Sequence, residues 1–174
     1  DTFAPRAPSS SLRERYAADG SLVIGFLGSF FSYEGLPALV HVFGQLAKIH
    51  PSARLVLVGD GEDKDKLDQL VIELNLEGRV WLPGKVPHSQ VGDFYSAMDV
   101  LVYPRIKSVL TDLISPLKPL EPMAMGKCVL GSDVGGIREL LEDGRAGLLF
   151  KAGSAADFYA SLDAILSGKV DVAA

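Results

Sequence analysis

Cysteine is almost absent: Cys128 is the only one in 174 residues. No disulfide framework can form, so a stapled secreted scaffold is excluded and a reducing, cytoplasmic setting is expected. Histidine is nearly as scarce. His41, His50 and His88 have neither cysteine partners nor the spacing of a zinc site, so no metal is expected. There is no basic excess either. Lys and Arg number 17 against 22 Asp and Glu, a formal net charge of −5, which argues against a nucleic-acid partner. No apolar run reaches the roughly 18 residues of a membrane span, so no transmembrane segment is expected. The opening "DTFAPRAPSSSLRERYAADG" is polar and broken by proline, unlike a signal peptide. An Asp1 start without methionine is what a piece of a longer protein would show. Finally, the first glycine-rich turn, "GFLGS", has the spacing G-x-x-G. The dinucleotide fingerprint G-x-G-x-x-G is missing, which disfavours a nicotinamide-dependent oxidoreductase.

What is present is the composition of one soluble globular domain with a sizeable core: 48% apolar and 22% charged residues. Residues 1–20 read as a linker and lead-in with a short charged helical turn, 21–168 as the folded domain, and 169–174 as a frayed tail. Short apolar runs ("SLVIGFLGS", "RLVLVGDG", "RVWLPG", "VLVYP", "CVLGSD", "AGLLFK") alternate with helical patterns over 36–49, 63–74, 89–98, 119–125, 137–141 and 155–166. The runs are apolar on both faces, the mark of a parallel sheet covered on both sides. The expected fold is therefore α/β: a Rossmann-like, doubly wound parallel sheet of about six strands with helices on both faces. Such sheets bind ligands at the carboxyl ends of their strands.

The loops after the strands are thus the candidate sites. Gly28 and Ser29 follow the first strand, where glycine permits close approach to phosphate. "VYPRIKSVLTDLISPLKPLEP" follows the fourth and is long for a compact domain. It carries Arg105, Lys107 and Lys118, with Asp112 and Glu121 between them, and reads as an anion site. Lys118 and Glu121 stand in an apolar, proline-stiffened segment, where an unpaired charge would cost several kcal/mol (order of magnitude). Proline fits the first helical turn, so a helix should start near Pro119 with Glu121 in its first turn. A carboxylate there can accept hydrogen bonds from neighbouring hydroxyls, and Lys118 can balance an anion. The pair suits a molecule carrying both hydroxyls and phosphate. Gly135 and Gly136 in "GSDVGGIREL" read equally well as a close approach to ligand or as a turn before a helix. Cys128 reads as a small core hydrophobe.

The segment "LKPLEPMAMGKCVLGSDVGGIRELLEDGRAGLLF" resembles the C-terminal donor domain of the retaining glycosyltransferases of GT-B fold, the glycosyl transferases group 1 family. "RLVLVGDGEDKDKL", "RVWLPGKVPHSQVGDFYSAMDVLVYP" and the linker-like "DTFAPR" fit the same family in the same order. The resemblance implies binding of a nucleotide diphosphate sugar, with no cofactor, by one half of a two-domain enzyme. The acceptor domain would be N-terminal, and its product a polysaccharide or glycolipid. The whole enzyme could lie peripherally on a membrane. By resemblance, Glu121 is the second glutamate of the Glu-x7-Glu motif and binds the ribose hydroxyls. The backbone of Leu117 and Lys118 approaches the diphosphate, and Gly84, Lys85 and Val86 contact the nucleobase.

The sequence departs from the family at several positions. The motif's first glutamate falls at Leu113, with Asp112 beside it as a possible substitute. The family's glycine before the leucine is Pro116. The arginine and lysine expected in the first-strand loop read Ser29 and Glu34. Arg105 and Lys118 are therefore the expected catalytic cations. A nucleotide-sugar 2-epimerase of the same fold and a non-catalytic GT-B-like module stand as alternatives, and Leu113, Ser29 and Glu34 favour the latter.

Overall fold

The computed structural model describes residues 3–17 and 20–172. Six parallel strands form one sheet: β1 (Val23–Ser29), β2 (Arg54–Asp60), β3 (Val80–Gly84), β4 (Val100–Tyr103), β5 (Cys128–Ser132) and β6 (Leu148–Phe150). Their order is β3-β2-β1-β4-β5-β6. The chain reverses its direction of winding between β1 and β4, and a crevice opens at such a reversal. The helices are α1 (Ser10–Ala17), α2 (Leu36–Leu46), α3 (Lys64–Glu73), α4 (His88–Ala97), α5 (Val109–Leu113), α6 (Leu120–Ala124), α7 (Gly135–Leu140) and α8 (Ala155–Leu166). They cover both faces, with α3, α2 and α8 packing side by side and α1 against α4.

The central strands are buried along their middles, as their apolar runs require, and β1 and β2 emerge only at their ends. Ile24, Phe26, Leu55, Leu57, Val100, Leu101, Val102 and Tyr103 are among the wholly buried side chains. Gly25 serves packing rather than ligand approach, because a Cβ there would collide with the side chain of Met98.

Three segments differ from the sequence reading. The lead-in is a docked two-turn helix: Tyr16 is buried, and Arg13 donates to Asp99, to the Ala97 carbonyl and to the Ser21 carbonyl. The tail packs instead of fraying. Val170 and Val172 lie against the core and the Lys169 N–H donates to the Ala164 carbonyl. Residues 1, 2, 18, 19, 173 and 174 of those two segments lie outside the described residues. The long loop after β4 contains α5, held by a capping box in which Ser108 and Thr111 exchange side-chain-to-backbone hydrogen bonds. No helix among the described residues is long and apolar enough to cross a membrane.

Candidate functional site

The carboxyl ends of β1, β2 and β3 form the walls of a depression of about 260 Å³, with Val91 of α4 on its rim. Gly28, Ser29, Lys85 and Val86 all line it, so the structure brings these sequence-predicted residues together. Gly84, at φ 83°, turns the chain into its far wall in a conformation that favours glycine. Asp60 lines the depression too, and the Lys85 ammonium stands 3.7 Å from its carboxylate in an exposed pair.

Lys118 extends over β1. A Cβ on Gly28 would come within 2.9 Å of Lys118 Nζ, so the glycine is required for the lysine to lie there. The ammonium donates to Glu34 Oε1 at 2.6 Å and sits 5.4 Å from the centre of the Phe26 ring. Glu34 Oε2 faces Arg105 Nε at 3.6 Å. Arg105 is only 6% exposed; it donates to the Ile114 carbonyl and lies over the Tyr33 ring. The cluster holds two cations and one carboxylate.

Helix α6 begins where its prolines direct it, with Pro119 as N-cap and Pro122 in the first turn. Glu121 is half-buried and its Oε2 accepts a hydrogen bond from the Tyr95 hydroxyl at 3.0 Å. Burial above all, and the Glu121 carboxylate next, push the Tyr95 hydroxyl well above the usual tyrosine range. Tyr103, wholly buried, is raised for the same first reason, with the nearby Tyr95 hydroxyl next. Its hydroxyl also reaches the Lys118 carbonyl at 3.4 Å. Two protonated phenols thus hold α6 in register with β4 and α4, and fix one oxygen of Glu121.

Asp112 is placed differently. Its Oδ1 accepts from the Gly135 N–H at 2.8 Å, tying α5 to the start of α7. Gly135 and Gly136 are needed for the same junction, since Cβ atoms there would meet the carbonyls of Asp112 and Ile114. Their close approach is to backbone. Leu113 and Leu117 are 78% and 76% exposed, on an apolar strip that also includes Ile106, Val109, Leu110 and Ile114. Lys107 is exposed and outside the cluster. Among the described residues, no three His, Cys, Asp or Glu side chains converge as a metal site would require. The roles of Glu34, Tyr95 and Tyr103 were not read from the sequence. The tyrosines fall on buried positions of a helix and a strand and look like ordinary core. The signal for Glu34 was a second lone charge beside an apolar run, opposite in sign to Lys118.

Residues 10–173 match the family model described as glycosyl transferases group 1. The chain is 28% identical over 149 residues to the alpha-D-kanosaminyltransferase of Streptomyces kanamyceticus, covering 86% of this chain and 36% of the relative. It is 30% identical over 151 residues to the GDP-mannose-dependent alpha-mannosyltransferase of Mycobacterium tuberculosis, covering 87% and 36%. It therefore spans about a third of the length of these relatives. The crystal structure of Anabaena HepE in complex with UDP-glucose superposes with a TM-score of 0.79 at 24% identity, over 94% of this chain and 44% of that one. That likeness concerns the fold, the Rossmann-like six-stranded parallel sheet with its helices. With the family model spanning nearly its whole length, the chain belongs to the glycosyl transferases group 1 family.

Proposed function

We propose that this chain is the donor-binding half of a retaining glycosyltransferase that moves a sugar from a nucleotide diphosphate sugar to an acceptor. The observation that carries the reading is the pairing of Lys118 and Glu121 on one proline-stiffened turn beside the mouth of β1. One is a cation anchored over Gly28. The other is a carboxylate held by Tyr95 through a single oxygen. In this reading the free oxygen of Glu121 accepts hydrogen bonds from the ribose hydroxyls. Gly84, Lys85 and Val86 meet the base. The turn at Leu117 and Lys118 meets the diphosphate, with Gly28 and Ser29 below it.

The reacting bond is the one between the sugar carbon and the distal phosphate. As it breaks, negative charge grows on the leaving diphosphate. Stabilisation of that charge by fixed cations is the main contribution this half can make. Lys118 is the cation that can touch it; Arg105, buried behind and facing Glu34, does not reach it. An ammonium about 4 Å from a unit charge is worth about 4 kcal/mol at an effective dielectric of 20, a meaningful share of a barrier. A placed Lys118 and Glu121 support this reading over a non-catalytic module. The family match is to glycosyl transferases and supplies nothing for the epimerase.

The acceptor domain would be an N-terminal neighbour facing the apolar strip from Ile106 to Leu117, which is otherwise exposed. Residues 1–20 would lead in from it. The enzyme would work in the cytoplasm, at a membrane surface if its acceptor is a glycolipid. Saturation-transfer NMR with UDP-glucose and GDP-mannose tests the donor reading. Saturation should pass from the chain to base and ribose protons of one of them. Silence from both, with the chain folded, would sink the reading.

A further inference from the structure

We propose that Glu34 is a positioning residue of the donor site: it fixes the Lys118 ammonium over Gly28 and neutralises Arg105, leaving one net positive charge, on Lys118, for the diphosphate. The inference rests on the donor reading above.

Glu34 closes the short 3-10 turn Ser32–Glu34 and is 1% exposed. A carboxylate this buried is tolerated only where cations compensate it. Both of its oxygens face one: Oε1 lies 2.6 Å from Lys118 Nζ and Oε2 lies 3.6 Å from Arg105 Nε. Glu34 Oε2 and Arg105 Nε make no hydrogen bond to any other described group. Their alignment is therefore electrostatic, and both are held there by the groups around them.

The two cations are not equivalent. Arg105 turns its guanidinium to the Ile114 carbonyl and the Tyr33 ring and is closed off from solvent. The Lys118 side chain keeps 29% of its surface exposed. An ammonium carries three N–H donors. Glu34 takes one, and the other two stay available to an anion. The lysine stem rests on Gly28 and its head lies against Phe26, so Glu34 supplies the one strongly directional contact. A flexible four-carbon side chain would otherwise spread over many rotamers. The acid at position 34, which seemed to speak against a working site, thus becomes part of it.

The test compares the tightest-binding of UDP, GDP and ADP with its matching nucleoside, by calorimetry, on wild type, Glu34→Gln, Glu34→Asp, Lys118→Met and Glu34→Gln/Lys118→Met. The readout is the ratio of the two affinities, which isolates the phosphate contribution. Glu34→Asp keeps a charge beside Arg105 and so guards against simple loss of fold. Lys118→Met should lower the ratio about tenfold, and both Glu34 variants roughly fivefold. The double variant should lose no more than Lys118→Met. An unchanged or increased ratio in the folded Glu34 variants would mean that Glu34 only neutralises Arg105, and would overturn the inference alone. Additive losses in the double variant would overturn it too. A wild type that does not prefer the diphosphate over the nucleoside would overturn the donor reading and this inference together.

Discussion

At the scale of single residues, each charge in "LISPLKPLEPMAMG" has a specific partner. Lys118 meets Glu34, and Glu121 meets Tyr95. Removing Tyr95's hydroxyl as Tyr95→Phe frees the Glu121 carboxylate to rotate. Discrimination between a nucleoside diphosphate and its 2′-deoxy analogue should then fall about three- to tenfold, the loss of roughly one hydrogen bond to a charged group. Discrimination equal to wild type would show that Tyr95 does not orient Glu121. The same network gives a pH dependence with a definite sign. The folded-state pKa values of Tyr95 and Tyr103 are raised, so their unfolded forms ionise first. Their stabilising contribution is complete below about pH 10, the ordinary tyrosine value, and is lost as pH rises beyond it. Tyrosinate absorbance should therefore show Tyr95 and Tyr103 titrating only with alkaline unfolding. Absorbance changes lost on Tyr95→Phe or Tyr103→Phe at a pH where the protein is still folded would contradict this.

At the scale of elements, the turns that place the site depend on caps and junctions. Asp112 ties α5 to α7 through the Gly135 N–H. Asp112→Ala should cost about 1 kcal/mol of stability, as one local hydrogen bond does, and leave nucleotide affinity unchanged. A loss of affinity without loss of stability would show that Asp112 acts in the donor site. Ser154 accepts from the Asp157 N–H at the start of the twelve-residue α8. Ser154→Ala should cost about 1 kcal/mol, a fall in Tm of about 2–4 °C for a domain of this size.

The strands were legible because their apolar runs need two covered faces, and α6 because proline restricts where a helix can start. α5 was not. Val109, Leu110 and Leu113 are exposed, so the five-residue helix has no apolar stripe facing the core to betray it. Its capping residues alone carried the signal. In the candidate site, the positions of Gly28, Lys118 and Glu121 could be singled out from backbone freedom and misplaced charge, and the structure shows Lys118 packed on Gly28 and Glu121 on Tyr95. The Glu34 pairing was not, because 84 residues separate it from Lys118 and only the order of the strands brings them together.

At the scale of the whole molecule, the winding reverses between β1 and β4; Lys118, from the loop after β4, reaches Gly28 on the rim of the depression, and Glu121 is tied to α4, which also borders it. The apolar side chains of α5 and its flanks stay exposed. A donor half of this kind should bind nucleotide and transfer no sugar alone. Release of nucleoside diphosphate coupled to glycosylation of any acceptor by the isolated chain would contradict the division of labour. The most direct measurement is calorimetric titration of the chain with UDP, GDP, ADP and NAD, beside Glu121→Ala. One nucleoside diphosphate should bind and NAD should not, with affinity falling about ten- to a hundredfold in the variant. Equal binding by wild type and Glu121→Ala, or preference for NAD, would contradict the donor site described.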